Sequence, residues 1–183
     1  MKIKPNRNTG EVVVEMKRGD ESVLMASTTE PFRLKKILVP IDFSDCSKKA
    51  LQYALPLAKQ HGAVITLLYV APTPSYAVGE YGAIDISAFE SDMRAAGERD
   101  LAAFAAREVP GKVPADTAVR TGTPASQIVA LAKSVAADLI VISTHGRTGL
   151  KYVFLGSVVE HVVRYAPCPV LIVREREHEF VEP

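Results

Sequence analysis

The chain has 183 residues, 48% of them apolar and 23% charged, and 22 Lys and Arg against 21 Asp and Glu leave a formal charge of +1. That composition is globular, which excludes wholesale disorder, and the near-neutral balance gives no footing for a nucleic-acid-coating protein. No apolar run approaches the ~18 residues of a membrane span, and the opening MKIKPNRNTG lacks the apolar stretch of a signal peptide, so a cytoplasmic protein with no membrane and no nucleic-acid partner is expected, with Cys46 and Cys168 as free thiols.

Residues 1–33 read as an extension. Two short apolar runs, 12–16 and 23–26, flank Lys17-Arg18-Gly19-Asp20-Glu21. That pattern predicts a β-hairpin with a Gly-containing loop. The alternative is a floppy tail, because an isolated two-stranded ribbon is only marginally stable.

From Leu34 the pattern changes. Ile37-Leu38-Val39-Pro40-Ile41 is a continuous apolar run, as in a strand buried on both faces of a parallel sheet. Ser44 can cap a helix carrying Ala50, Leu51, Ala54, Leu55 and Ala58, with an expected kink at Pro56 and a stop at Gly62. Residues 63–70 (AVITLLYV) are a second buried strand, and 71–86 read as a loop. Ser87 opens a helix with Phe89, Met93, Ala96, Leu101 and Phe104 along one face, stopped by Pro110-Gly111. Residues 113–121 form a more polar strand, with Val113, Ala115, Thr117 and Val119 alternating; an edge position suits it and Pro114. Thr123 and Pro124 start a helix with a stripe of Ile128, Leu131, Ala132 and Val135. Residues 139–142 are a third buried strand, followed by a Gly-rich loop from Ser143 to Gly156. Ser157-Val158-Val159-Glu160 has the form of a capping box, opening a helix to about Tyr165. A last apolar strand opens on Pro169 and closes on Val173, and residues 175–183 are a charged tail. Strands alternating with helices predict an α/β fold with an open, doubly wound, five-stranded parallel sheet, Rossmann-like, over residues 34–174. Ligands of such sheets bind beyond the carboxyl ends of the strands.

The segment after Ile142 carries the most chemistry. Nine residues separate Gly146 from Gly156, and Gly156 directly precedes a predicted helix. A helix N-terminus exposes unpaired N–H groups and partial positive charge, which suit phosphate. Ser157 adds a hydroxyl, and Arg147 and Lys151 add cations. A plain surface loop remains the alternative reading of the same residues.

This stretch resembles the nucleotide signature of the universal stress protein family: Gly, two residues, Gly, nine residues, then Gly-Ser or Gly-Thr. Gly146, Gly156 and Ser157 fit, while Ser143 stands where the first glycine is usual. Residues 36–44 (KILVPIDFS) resemble the family's first strand and turn, and 166–173 (APCPVLIV) its last strand. The resemblance implies strand order 3-2-1-4-5 and an adenine-nucleotide site. In it, Pro40, Ile41 and Asp42 meet adenine and ribose, and the backbone of Val70 pairs with the base. Ile142, Ser143, His145, Gly146, Arg147, Gly156, Ser157, Val158 and Val159 surround ribose and phosphates. Val159 stands where some relatives carry a hydroxyl. Read without the family, Asp42 is equally a turn carboxylate, and His145 a structural donor or a general base.

Other chemistries are disfavoured by their missing parts. There is no G-x-x-x-x-G-K-[ST] loop and no G-x-G-x-x-G after the first strand. No G-x-S-x-G elbow supports a triad of Asp42, His145 and Ser157. His61, His145, His161 and His178 show no metal-ligand spacing. The expected function is a stress-response regulator that binds ATP, alone or with Mg²⁺, and holds it more than it turns it over. A homodimer through the last strand, residues 169–173, is expected with it. A dimeric interaction module without nucleotide, and a slow ATPase, are the alternatives.

Overall fold

Burial on both faces explains the central strand. In the computed structural model, which describes residues 2–5, 12–15, 33–71, 86–144 and 156–174, Ile37, Leu38 and Val39 have at most 1% of their surface exposed. They belong to β3 (Lys36–Pro40), which is followed by α1 (Asp45–His61), β4 (Val64–Ala71), α2 (Ile86–Glu108), β5 (Ala115–Thr121), α3 (Pro124–Ser134), β6 (Leu139–Ser143), α4 (Ser157–Tyr165) and β7 (Val170–Val173). The five strands form one parallel sheet in the order β5-β4-β3-β6-β7, the expected 3-2-1-4-5 counted from β3.

Alternate residues of each strand feed two cores. Ile37, Val39, Ile65, Leu67, Val141 and Val173 pack with Leu51, Ala54 and Ala58 of α1 and with Leu101 and Phe104 of α2. Leu38, Leu68, Ile140 and Ile142 pack on the other face with Ile128, Leu131 and Ala132 of α3 and with Val159 and Val162 of α4. Each fully buried aliphatic side chain contributes roughly 1.5–3 kcal/mol relative to exposure. The apolar run therefore reads without alternation because neither face meets water. At the amino ends, Asp138 Oδ2 accepts from the Lys35 and Lys36 N–H groups at 2.8 and 2.9 Å, which ties β3 to the entry of β6.

Most helix boundaries follow their local chemistry. Ser44 caps α1, its Oγ accepting from the Ser47 N–H, and Gly62 ends it at φ 63°. Pro56 does not interrupt α1. The carbonyl that its missing N–H would have satisfied is that of Gln52, an exposed residue whose turn water can reach. β5 starts at Ala115, not Val113, and lies at a sheet edge with Ala115, Asp116 and Thr117 exposed.

One expectation is corrected. Ser157 is the first residue of α4, not its cap: Gly156 occupies the cap position, without a side-chain bond, and Glu160 instead faces Arg164 at 3.5 Å. The amino-terminal hairpin pairs β2 (Val12–Glu15) with β1 (Lys2–Pro5), in register Ile3 with Val14. Its expected partner at 23–26 lies outside the described residues. A strand with one apolar residue, Ile3, gave no alternation to read. The chain divides into two compact units, Met1–Arg33 and Leu34–Pro183.

α3 ends in a Schellman motif: the Ala137 N–H bonds the Ala132 carbonyl and the Ala136 N–H that of Lys133. Ala136 takes the left-handed position usually given to glycine, at φ 50°, and is exposed. Ala136→Gly relieves that strain at no loss of packing. The relief, roughly 1 kcal/mol, exceeds the extra unfolded-state entropy of glycine, so the melting temperature should rise by about 2 °C in calorimetry.

Candidate functional site

From β3 the chain runs outward to β4 and β5, then returns to place β6 on the opposite side of β3. The strand order therefore reverses between β3 and β6, and the crevice of such a sheet opens there, at the carboxyl ends. On one side stand Pro40, Ile41 and Asp42. The Ile41 N–H still bonds the Leu68 carbonyl at 2.7 Å, so pairing continues one residue beyond β3. Asp42 then turns the chain. Its Oδ1 accepts from the Ser44 N–H at 3.1 Å and from the Ser44 hydroxyl at 2.6 Å. Ser47, 2% exposed, donates its hydroxyl to the Ser44 carbonyl and accepts from the Asp42 N–H at 3.4 Å. The residue between, Phe43, sits at φ 64°.

On the other side β6 ends in Ser143, followed by Thr144, the two polar residues besides Ser47 that are buried among the described residues. The Thr144 N–H bonds the Val173 carbonyl at 3.0 Å, and the Thr144 carbonyl accepts from the Gly156 N–H at 3.2 Å. The amino end of α4 is thereby tethered to the end of β6. A Cβ on Gly156 would stand 3.1 Å from that same carbonyl, which is why glycine suits this close approach. The first intrahelical bond is Glu160 N–H to the Gly156 carbonyl. Helix geometry leaves the N–H groups of Ser157, Val158 and Val159 without such a bond. The end of α4 is thus an anion-favouring terminus beside the switch point.

A family model described as the universal stress protein family matches residues 33–174. The chain belongs to the universal stress protein family. A universal stress protein of Methanocaldococcus jannaschii is 34% identical over 146 residues, covering 79% of this chain and 85% of that one. The structure of the universal stress protein UspA from Lactobacillus plantarum superposes with a TM-score of 0.65 at 30% identity, covering 78% of this chain and 99% of that one. A universal stress protein solved in complex with cAMP aligns with a TM-score of 0.50 at 25% identity, covering 78% of this chain and 98% of that one.

Within this universal stress protein, Pro40, Ile41 and Asp42 lie at the carboxyl end of β3, Ile142 and Ser143 at that of the neighbouring β6, Gly156 to Val159 at the start of α4, which is tethered to Thr144, and Val70 next to the end of β4. His145, Gly146 and Arg147 lie outside the described residues. Val159 is buried at 3% in the α3/α4 core with Val158 packed against it, so only their backbone faces the helix end. Reading the sequence missed Ser47 and the Thr144 carbonyl. The spacing Asp42-x-Ser44-x-x-Ser47 is the signal that would have found the former, while a backbone acceptor leaves no residue-type trace. No group of three potential metal ligands occurs among the described residues.

Behind the Asp42 turn, Glu108 at the end of α2 meets Arg107 Nε at 2.7 Å and Lys48 Nζ of α1 at 3.0 Å. The Arg107 hydrogen bond, then Lys48, holds its carboxyl below the usual 4.5 against the opposing effect of burial. A lowered folded-state value contributes stability that is present above the unfolded value and lost as pH falls through the folded one. Both cations are largely exposed, so screening keeps the effect small. Glu108→Gln should cost up to about 1 kcal/mol at pH 7 in urea denaturation, and the gap to the native protein should close as pH falls through the lowered folded-state value.

Proposed function

We propose that this universal stress protein binds an adenine nucleotide, ATP in the first place, at the carboxyl edge of the sheet, and works as a nucleotide-dependent regulator. The observation that carries the reading is the tether from Gly156 to Thr144, which holds the amino end of α4 at the carboxyl end of β6, the strand next to β3 and its Asp42 turn. Phosphates meet the N–H groups of Ser157, Val158 and Val159, with Gly146, His145 and Arg147 supplied by the preceding loop. The Asp42 carboxylate, one oxygen of which is already used by Ser44, accepts from ribose, and the backbone at Val70 meets the base. The relative solved with cAMP supports the nucleotide class. Holding is favoured over turnover because the chain carries no Walker lysine motif.

The reading includes a cytoplasmic homodimer through β7. This strand is a sheet edge, and Leu171 is the side chain it leaves exposed, one of three exposed large apolar residues among those described, with Val163 and Tyr165 of α4. Ile172 packs instead into the α3/α4 core. An apolar edge invites pairing with a second copy.

Calorimetric titration with ATP, ADP and AMP, together with mass spectrometry of any nucleotide released from purified protein, tests the site. Asp42→Asn keeps the acceptor for Ser44 but loses the charge, and should weaken ATP roughly tenfold. Gly156→Val, which presses on the Thr144 carbonyl, should weaken it more. Wild-type protein that neither releases nor binds nucleotide would leave the alternative, an interaction module. In sedimentation, a dimer of about twice 19.8 kDa is expected at micromolar concentration, shifted toward monomer by Leu171→Lys.

A further inference from the structure

Phe43 has a conformation that its residue type does not choose. At φ 64° it occupies the left-handed region, which a bulky L residue enters only when its surroundings compel it. The compulsion is visible. The Phe43 ring lies 4.8 Å from that of Tyr69, tilted at 46°, and 5.8 Å from that of Phe104 in an edge-on arrangement at 74°. Both distances fall within the range of favourable aromatic pairs. Tyr69 in turn is seated against α2 where Gly97 has no side chain; a Cβ there would stand 2.9 Å from two atoms of the Tyr69 ring. Arg107 lies 5.7 Å over the Phe104 ring and holds Glu108, which returns to α1 through Lys48. The rings thus come from the turn, from β4 and from α2, and the ion pairs close the circuit to the helix that the turn begins.

We propose that Phe43 is a positioning residue: its ring, wedged between Tyr69 and Phe104, holds the turn in the left-handed form that aims Asp42 and opens α1. The consequence for the backbone is direct. Asp42 and Ser44 flank Phe43, and the Asp42 Oδ1 bond to the Ser44 N–H spans it. Were Phe43 to relax to negative φ, the chain between the end of β3 and α1 would be re-aimed, and the Asp42 carboxylate and the Ser44 cap on Ser47 would move relative to the sheet. The wedge also bridges two parts of the candidate pocket, because Tyr69 directly precedes Val70. The effect on ligand affinity rests on the nucleotide reading; the effect on the turn does not.

The test separates ring from backbone. Phe43→Ala removes the wedge and leaves a residue that disfavours positive φ, whereas Phe43→Gly removes the same wedge but adopts positive φ freely. Both should lose similar core packing and melt below the native protein, Phe43→Gly slightly above Phe43→Ala because glycine carries no strain at positive φ. Amide hydrogen exchange at Ser44 and Ser47 should quicken in Phe43→Ala and recover much of its protection in Phe43→Gly. ATP affinity should fall roughly tenfold in the first and be substantially regained in the second, a 1.4 kcal/mol effect. Phe104→Leu, a gentler change remote from the pocket, covers the case in which Phe43→Ala does not fold. It should quicken exchange at Ser44 in the native background and add little in Phe43→Gly. Equal exchange in the Ala and Gly variants, or native-like protection in Phe43→Ala and Phe104→Leu, overturns the proposal. If the native protein binds no ATP, the nucleotide reading fails and the exchange data alone decide the wedge.

Discussion

Everything in the domain depends on the dry central strand. Because Ile37, Leu38 and Val39 are closed to water on both faces, helices must cover the sheet front and back. Right-handed crossovers then force the chain to wind outward on one side of β3 and return to the other. The reversal leaves no crossover spanning the carboxyl ends of β3 and β6, and there the Asp42 turn leaves one strand while the start of α4 is tied to the end of the other. The position of the candidate site is thus a consequence of burial, before any residue with chemical function is considered.

The site itself is built largely from backbone. Gly156, Thr144 and Val173 are linked through their amide groups, and the N–H groups at the head of α4 come from residues whose side chains, at Val158 and Val159, go into the core. A valine is no obstacle at such a position, since its side chain anchors the helix while its amide remains at the terminus. The absence of a hydroxyl at 159 removes one side-chain donor without altering that anchoring.

This division explains what could be read from the chain. The buried runs and the caps at Ser44, Gly62 and Thr123 were legible because each leaves a residue-type signature, whereas the strand order came with the family resemblance. The capping box at Ser157 misled because its pattern matches, yet the helix starts one residue earlier, with Gly156 as its cap and bonded to the Thr144 carbonyl. The partner of β2 was illegible because Lys2–Pro5 carries one apolar residue and pairs through its backbone. Asp42 was legible as a carboxylate at a strand end but not in its geometry. Ser44 and Ser47 occupy it through hydrogen bonds that depend on the φ of Phe43, and no composition rule would place phenylalanine there.

The chain has two non-glycine residues at positive φ among those described, and their contrast gives the strain a meaning. The intrinsic penalty is of the same order for both, about 1–2 kcal/mol. Ala136 sits exposed at the end of α3, where its conformation serves to close the helix and glycine would serve as well. Phe43 is half-buried, and its ring makes the contacts with Tyr69 and Phe104 that offset the penalty. A glycine at 43 would remove the penalty and those contacts together. Strain at Ala136 is therefore local and separable from the rest of the fold, whereas strain at Phe43 is balanced by packing drawn from β4 and α2. The turn that carries Asp42 consequently has its geometry set by elements distant in sequence, which is the arrangement a pre-organised site requires.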